Sequence, residues 1–149
     1  MKIEEAIKTK FLNPIHKVAV NISYTSNWLR DEQAHVFKEH DLLPQHFNVL
    51  RILAGKHPEP VSPGVIKEVM IDKGADVTRL LAKLEERGFV QRQIRLDNRR
   101  MIDVSITGDG LALTNGLAKK IKETTKTIQQ NITPEEAEQL SHLLDKLRG

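Results

Sequence analysis

"DVTRLLAKLEERGFVQRQIRLDNRRMIDVSITGDG", residues 76–110, changes its hydrophobic period partway along, and that change decides the fold. Val77, Leu80, Leu81 and Leu84 recur at helical spacing and form one buried stripe, which Gly88 ends. "FVQRQIRL" and "MIDVSIT" then read as two short β-type runs joined by "DNRR", a turn-forming pair followed by arginines. The stretch predicts a helix leading into a β-hairpin. Five arginines (Arg87, Arg92, Arg95, Arg99 and Arg100) crowd into residues 87–100, although the whole chain carries a net charge of only +3.

Upstream, Asp72 is placed to cap this helix. A short helix over roughly 63–71 carries Val65, Ile66, Val69 and Met70. "GKHPEPVSPG" precedes it and reads as a break, with room for a very short edge strand at Val61. Another helix starts at Pro44, a good first-turn residue, and ends near Gly55. Residues 2–39 follow a helical stripe from Ile3 to Leu29, which Asn13-Pro14 kinks or restarts. Downstream, Thr107 caps a helix over 108–130, with Leu111, Leu117, Ile121 and Ile128 inward. Thr133 and Glu136 form a capping box that opens a last helix over 134–147.

The centre therefore reads as helix, short helix, helix, hairpin: a helix-turn-helix followed by a wing. The fold class is mainly α with a small β-hairpin. Within a single domain spanning 1–149, residues 41–107 form the winged helix-turn-helix lobe. Residues 1–40 and 108–149 carry apolar stripes that such a lobe cannot cover. These stripes predict dimerisation helices that meet a second copy of the chain.

Composition narrows the function classes. There is no Cys, which excludes disulfides, thiolate chemistry and Cys-based zinc sites. No apolar run approaches the ~20 residues that cross a bilayer, so no membrane partner is expected. "MKIEEAIKTK" is charged and lacks an apolar signal core, which predicts a cytoplasmic protein. No phosphate loop, metalloprotease motif or nucleophile elbow occurs, so no catalytic residues are expected. Glu32, His35 and Glu39 have a spacing compatible with a metal site, but an exposed polar face is the simpler reading, and no cofactor is expected. Residues 71–100 hold eight basic and five acidic groups, while the flanks nearly cancel. A local basic patch on a neutral scaffold suits a polyanion such as nucleic acid, and a solvated charged face is the competing reading of charge alone.

A helix-turn-helix puts its second helix in the major groove. The outward positions near that helix's start are Lys73, Gly74, Ala75, Asp76, Thr78 and Arg79, with Lys83 a turn later. Small residues permit close approach to a duplex, Arg79 can reach a guanine or a phosphate, and Asp76 can accept from cytosine. A plain amphipathic surface helix has the same pattern, and the hairpin supplies the context that favours DNA. Arg99 and Arg100 at its tip suit a minor groove. Arg92 and Arg95 lie along a strand and can track phosphates. Arg87 closes the helix and suits its C-terminal dipole. Asp97 or Asn98 can hold a tip arginine in pose.

These motifs together resemble the MarR family of winged helix-turn-helix transcription regulators, from "LLPQHFNVLRIL" to "ITGDGLAL". The resemblance implies a homodimeric, sequence-specific DNA-binding regulator, a repressor on a palindromic operator, often responsive to a small molecule. Lys73 to Arg79 match the family's groove-reading segment, and the wing tip its Asp-x-Arg element. Counting back from Thr107 pairs Asn98 with Arg100 there, while Asp97 and Arg99 satisfy the same spacing one residue earlier. Leu43 stands where the family often has a capping Thr or Ser. The alternative is a winged helix serving as a protein-interaction or architectural module without ligand response. For an effector pocket, Asn21, Tyr24 and Trp28 recur at i, i+3 and i+7 on the first long helix, and His46 can add a polar contact. Packing of Trp28 and Tyr24 between the lobe and the dimer helices is the competing structural reading.

Overall fold

The computed structural model describes residues 1–149. The chain divides into two compact units, residues 1–35 and 36–149. The first holds α1 (Ile3–Ala6) and most of α2 (Pro14–Lys38). The predicted restart is a full break: Asn13 Oδ1 accepts from the Ile15 and His16 N–H groups at 2.8 and 3.4 Å and opens α2 afresh. Lys17 pairs with Glu4 across that break.

The second unit runs α3 (Pro44–Lys56), α4 (Pro63–Val69), α5 (Val77–Glu86), β1 (Val90–Ile94), β2 (Ile102–Ile106), α6 (Gly108–Thr124), α7 (Lys126–Asn131) and α8 (Pro134–Arg148). Its core gathers Leu50, Leu53, Ile66, Met70, Leu81, Leu84, Val90, Val104 and Leu117, all fully buried. The apolar stripes of α3, α4 and α5 thus meet on one side of a two-stranded antiparallel sheet, in register from Val90↔Ile106 to Ile94↔Ile102. Val61 adds a single bridge to Val104, with N···O distances of 2.8 and 2.9 Å.

Local chemistry sets the boundaries. Ser62 caps α4 and Pro63 follows it. Gly88 closes α5 with φ +77°, a conformation that suits glycine. Thr107 caps α6 through the Gly110 N–H at 3.0 Å, and its own hydroxyl donates to Gly88 O at 2.7 Å. Gly110 is obligatory there, because a Cβ would sit 2.1 Å from the Phe89 carbonyl oxygen. The helix expected over 108–130 divides at Thr124-Thr125. Both hydroxyls donate to carbonyls three residues back at 2.7 Å and compete with the helical ladder. The Thr133–Glu136 box forms reciprocally, at 3.2 and 2.8 Å. No helix is long and apolar enough to cross a membrane.

Candidate nucleic-acid interface

Two elements carry the site, α5 and the β1–β2 hairpin. The helix begins at Val77, later than the sequence suggested, because Asp76 rather than Asp72 is its cap: Asp76 Oδ1 accepts from the Arg79 N–H at 3.1 Å. Asp72 instead accepts from the Gly74 N–H at 2.9 Å and from Gln45 Nε2 at 2.5 Å. Asn48 Oδ1 accepts from the Ile71 N–H at 2.9 Å. Gln45 and Asn48 of α3 thereby hold the turn of the helix-turn-helix, a role no local signal announces.

This later start changes several expected positions. Lys73 and Gly74 lie in the turn, with Lys73 Nζ donating to Glu68 O at 2.5 Å. Ala75, expected on the outward face, is only 4% exposed and belongs to the core. It cannot face a duplex, because the turn tucks it under α5. Lys83, expected free a turn later, donates to Asp41 O at 2.7 Å and pairs with its carboxylate at 3.3 Å. Thr78 and Arg79 remain exposed, and the Arg79 guanidinium forms no ion pair or hydrogen bond.

The arginines of the hairpin divide sharply. Arg87 donates to His40 O at 2.5 Å and lies over the Phe89 ring, so it is structural as expected. The carbonyls it meets follow α2, however, rather than ending its own helix. Arg92, expected to track phosphates, is bound to Glu85. Its Nη2 meets Oε1 at 3.0 Å and its backbone N–H meets Oε2 at 2.9 Å. This guanidinium holds the Glu85 carboxyl below the usual carboxylate range. Arg95 is gripped by Asp97 at 3.2 and 3.0 Å, with Asp103 a further 3.9 Å contact. Asp97 therefore holds a strand-end arginine, not a tip arginine.

At the tip itself, Asn98 Oδ1 accepts from the Arg100 N–H at 3.2 Å, and Asn98 O from the Met101 N–H at 2.9 Å. The Arg99 and Arg100 side chains are exposed and unpaired. Of the eight basic residues in 71–100, only Arg79, Arg99 and Arg100 keep guanidinium groups without a partner within the chain. Unpaired guanidinium groups need no internal contact broken before they meet a phosphate or a base edge.

The residues read as a pocket fare differently. Asn21, Tyr24 and Trp28 share one face of α2, where Asn21 Oδ1 accepts from Thr25 Oγ1 at 3.3 Å and both rings are exposed. His46, expected as a polar contact for a ligand, is only 4% exposed, and its Nδ1 accepts from the Leu43 N–H at 2.9 Å. It supplies part of the cap that Leu43, lacking an acceptor, cannot. Burial, then the charges of Lys83 and Arg87, push the His46 pKa below its usual value, with Asp41 opposing. Glu39, one of the residues weighed for metal, pairs with Lys120 at 2.8 Å.

The comparisons with known proteins agree with this architecture. The MarR family's sequence profile matches residues 42–102. The homoprotocatechuate degradative operon repressor of Escherichia coli is 30% identical over 111 residues, covering 74% of each chain. Among solved structures, a mutant of the Escherichia coli MarR protein complexed with operator DNA superposes with a TM-score of 0.78. It is 23% identical and covers 93% of this chain and 99% of that one. The organohalide-sensing regulator RdhR-CbdbA1625, in its 2,4-dichlorophenol-bound form, gives a TM-score of 0.82 at 20% identity, covering 92% and 80%. With these matches and a winged helix-turn-helix of this topology, the chain belongs to the MarR family of DNA-binding regulators.

Proposed function

We propose that the protein is a non-catalytic, homodimeric repressor that binds a palindromic double-stranded DNA operator. In this reading α5 enters the major groove with Thr78 and Arg79 toward the bases, while Arg99 and Arg100 enter the flanking minor groove. The observation that carries it is the division of the cations within residues 71–100: Arg79 on α5 and Arg99 and Arg100 at the wing tip are free, and the other five are tied into the fold. Unpaired cations concentrated at these two places supply positive potential that attracts a duplex.

Exposed apolar side chains support the homodimer. Leu12, Ile15 and Val18 are exposed in the first unit. In α8, Leu140, Leu143 and Leu147 are exposed and no residue is buried. An amphipathic helix without cover in its own chain gains stability by pairing with a symmetric copy.

A small aromatic ligand acting at Asn21, Tyr24 and Trp28 would release the operator. The two exposed rings support this, as does a fold neighbour solved with 2,4-dichlorophenol bound. Such a ligand works only through unequal affinity for the DNA-competent and incompetent states.

Selection from a random duplex pool tests the reading. Enrichment of a palindrome with half-sites about one helical turn, ~10 bp, apart is expected. Absence of any enriched sequence contradicts it.

A further inference from the structure

We propose that Leu96 is an apolar wedge that enters the minor groove at the wing tip and unstacks a base step, favouring a pyrimidine–purine step where the wing lands. This rests on the DNA-binding reading above.

Leu96 is 96% exposed, and Ile94, two residues before it, is 60% exposed. Deeper in the hairpin, Val90, Val104 and Ile106 are buried in the core. The apolar residues of β1 and of the turn after it thus run from the core to the tip, where Leu96 is left almost wholly uncovered.

Leu96 is also held. Its two neighbours, Arg95 and Asp97, are joined by a two-point ion pair, and the Arg95 N–H donates to Met101 O at 3.0 Å. A side chain presented on a fixed frame loses less freedom when it inserts than one on a loose loop. The same ion pair neutralises Asp97, which would otherwise repel phosphate beside Leu96.

Charge complementarity commits the occupant. Arg99 and Arg100, unpaired, lie three and four residues from Leu96 on the same turn. A greasy side chain on the same turn as free guanidinium groups matches the minor groove, where phosphates line both walls and the stacked base faces behind the base edges are reached once a step is unstacked. Leucine is among the residues that wedge between base steps in this groove. Pyrimidine–purine steps unstack most easily, so they are the steps such a wedge selects.

The test uses a selected duplex carrying 2-aminopurine, whose emission rises on unstacking, at the step the wing contacts. The unsubstituted protein should raise the emission. Leu96→Ala should abolish that rise, relax the preference for the step and weaken binding about tenfold. The salt dependence should stay unchanged, since leucine neutralises no phosphate. Leu96→Met, which restores apolar reach, should recover the emission. If Leu96→Ala binds with the rise and the step preference intact, the wedge is overturned. A fall in salt slope like that of the arginine variants also overturns it. If the unsubstituted protein binds no duplex, the DNA-binding reading beneath it fails instead.

Discussion

Asp97 grips Arg95 at two points, Oδ1 on Nε at 3.2 Å and Oδ2 on Nη2 at 3.0 Å. The pair leaves the strand-end guanidinium already matched to a carboxylate, and so not free to neutralise a phosphate. Asp97→Ala should free it to neutralise one more phosphate per wing, steepening the logarithmic salt dependence of binding by about one per wing. Stability should change by less than ~1 kcal/mol, as for other exposed pairs. Fluorescence anisotropy across a salt series reads this, and an unchanged slope would show that Asp97 does not withhold Arg95.

The pair between Arg92 and Glu85 fastens the hairpin to α5. The folded-state pKa of Glu85 is depressed below its reference of 4.5. The unfolded chain therefore takes up the proton first as pH falls. The pair's contribution is complete above pH 4.5 and is lost as pH drops through the lower folded value. Arg92→Ala should lower the melting temperature at neutral pH, with the difference from the unsubstituted protein shrinking in acid. A pH-independent difference would contradict the assignment.

His46 gives the opposite chemistry with the same sign. Its Nδ1 accepts the Leu43 N–H only when unprotonated, and its folded pKa lies below the reference of 6.5. The unfolded chain binds the proton first, so this contribution is complete above pH 6.5 and fades as pH falls toward the folded value. His46→Gln keeps an acceptor for the cap and removes the titration. Its stability should be flatter than that of the unsubstituted protein below pH 6.5. Equal curves would mean that the ring does not titrate as described.

Much of this could be read from residues 76–110, and the reason is periodicity. Val77, Leu80, Leu81 and Leu84 obey a helical spacing, while "FVQRQI" and "MIDVSI" do not, so the helix-to-wing change is local information. The start of α5 is not. Asp72 and Asp76 are equally good caps in isolation; in the fold Asp72 accepts from the Gly74 N–H and from Gln45, twenty-seven residues away, while Asp76 caps α5. Lys73 and Gly74 lie off the helix as a result of that later start, and Ala75 is buried. The arginine pairings have the same origin. Arg87 meets carbonyls over forty residues away, and Arg92 finds Glu85 only after β1 folds back along α5. The Asp97–Arg95 pair, two residues apart, was within reach of sequence reasoning: an acid two positions after an arginine at a strand end is a local partner.

Removing the apolar faces should separate the copies. Sedimentation equilibrium of the unsubstituted protein should show dimer alone at micromolar concentration, with an interface of ~2,000 Å² or more. Leu140→Glu combined with Leu143→Glu should shift the mass toward monomer. A folded monomer in the unsubstituted protein would contradict the dimer.

The division of the arginines is tested most directly by comparing salt dependences on one selected operator. Replacing Arg99 and Arg100 together by Ala should reduce the slope of log Kd against log salt by about two per wing, close to 0.9 per lost phosphate contact. Arg92→Ala should leave the slope unchanged, because that guanidinium already answers to Glu85. The opposite pattern, a slope that falls with Arg92→Ala and survives loss of Arg99 and Arg100, would contradict the assignment of the wing tip as the DNA contact.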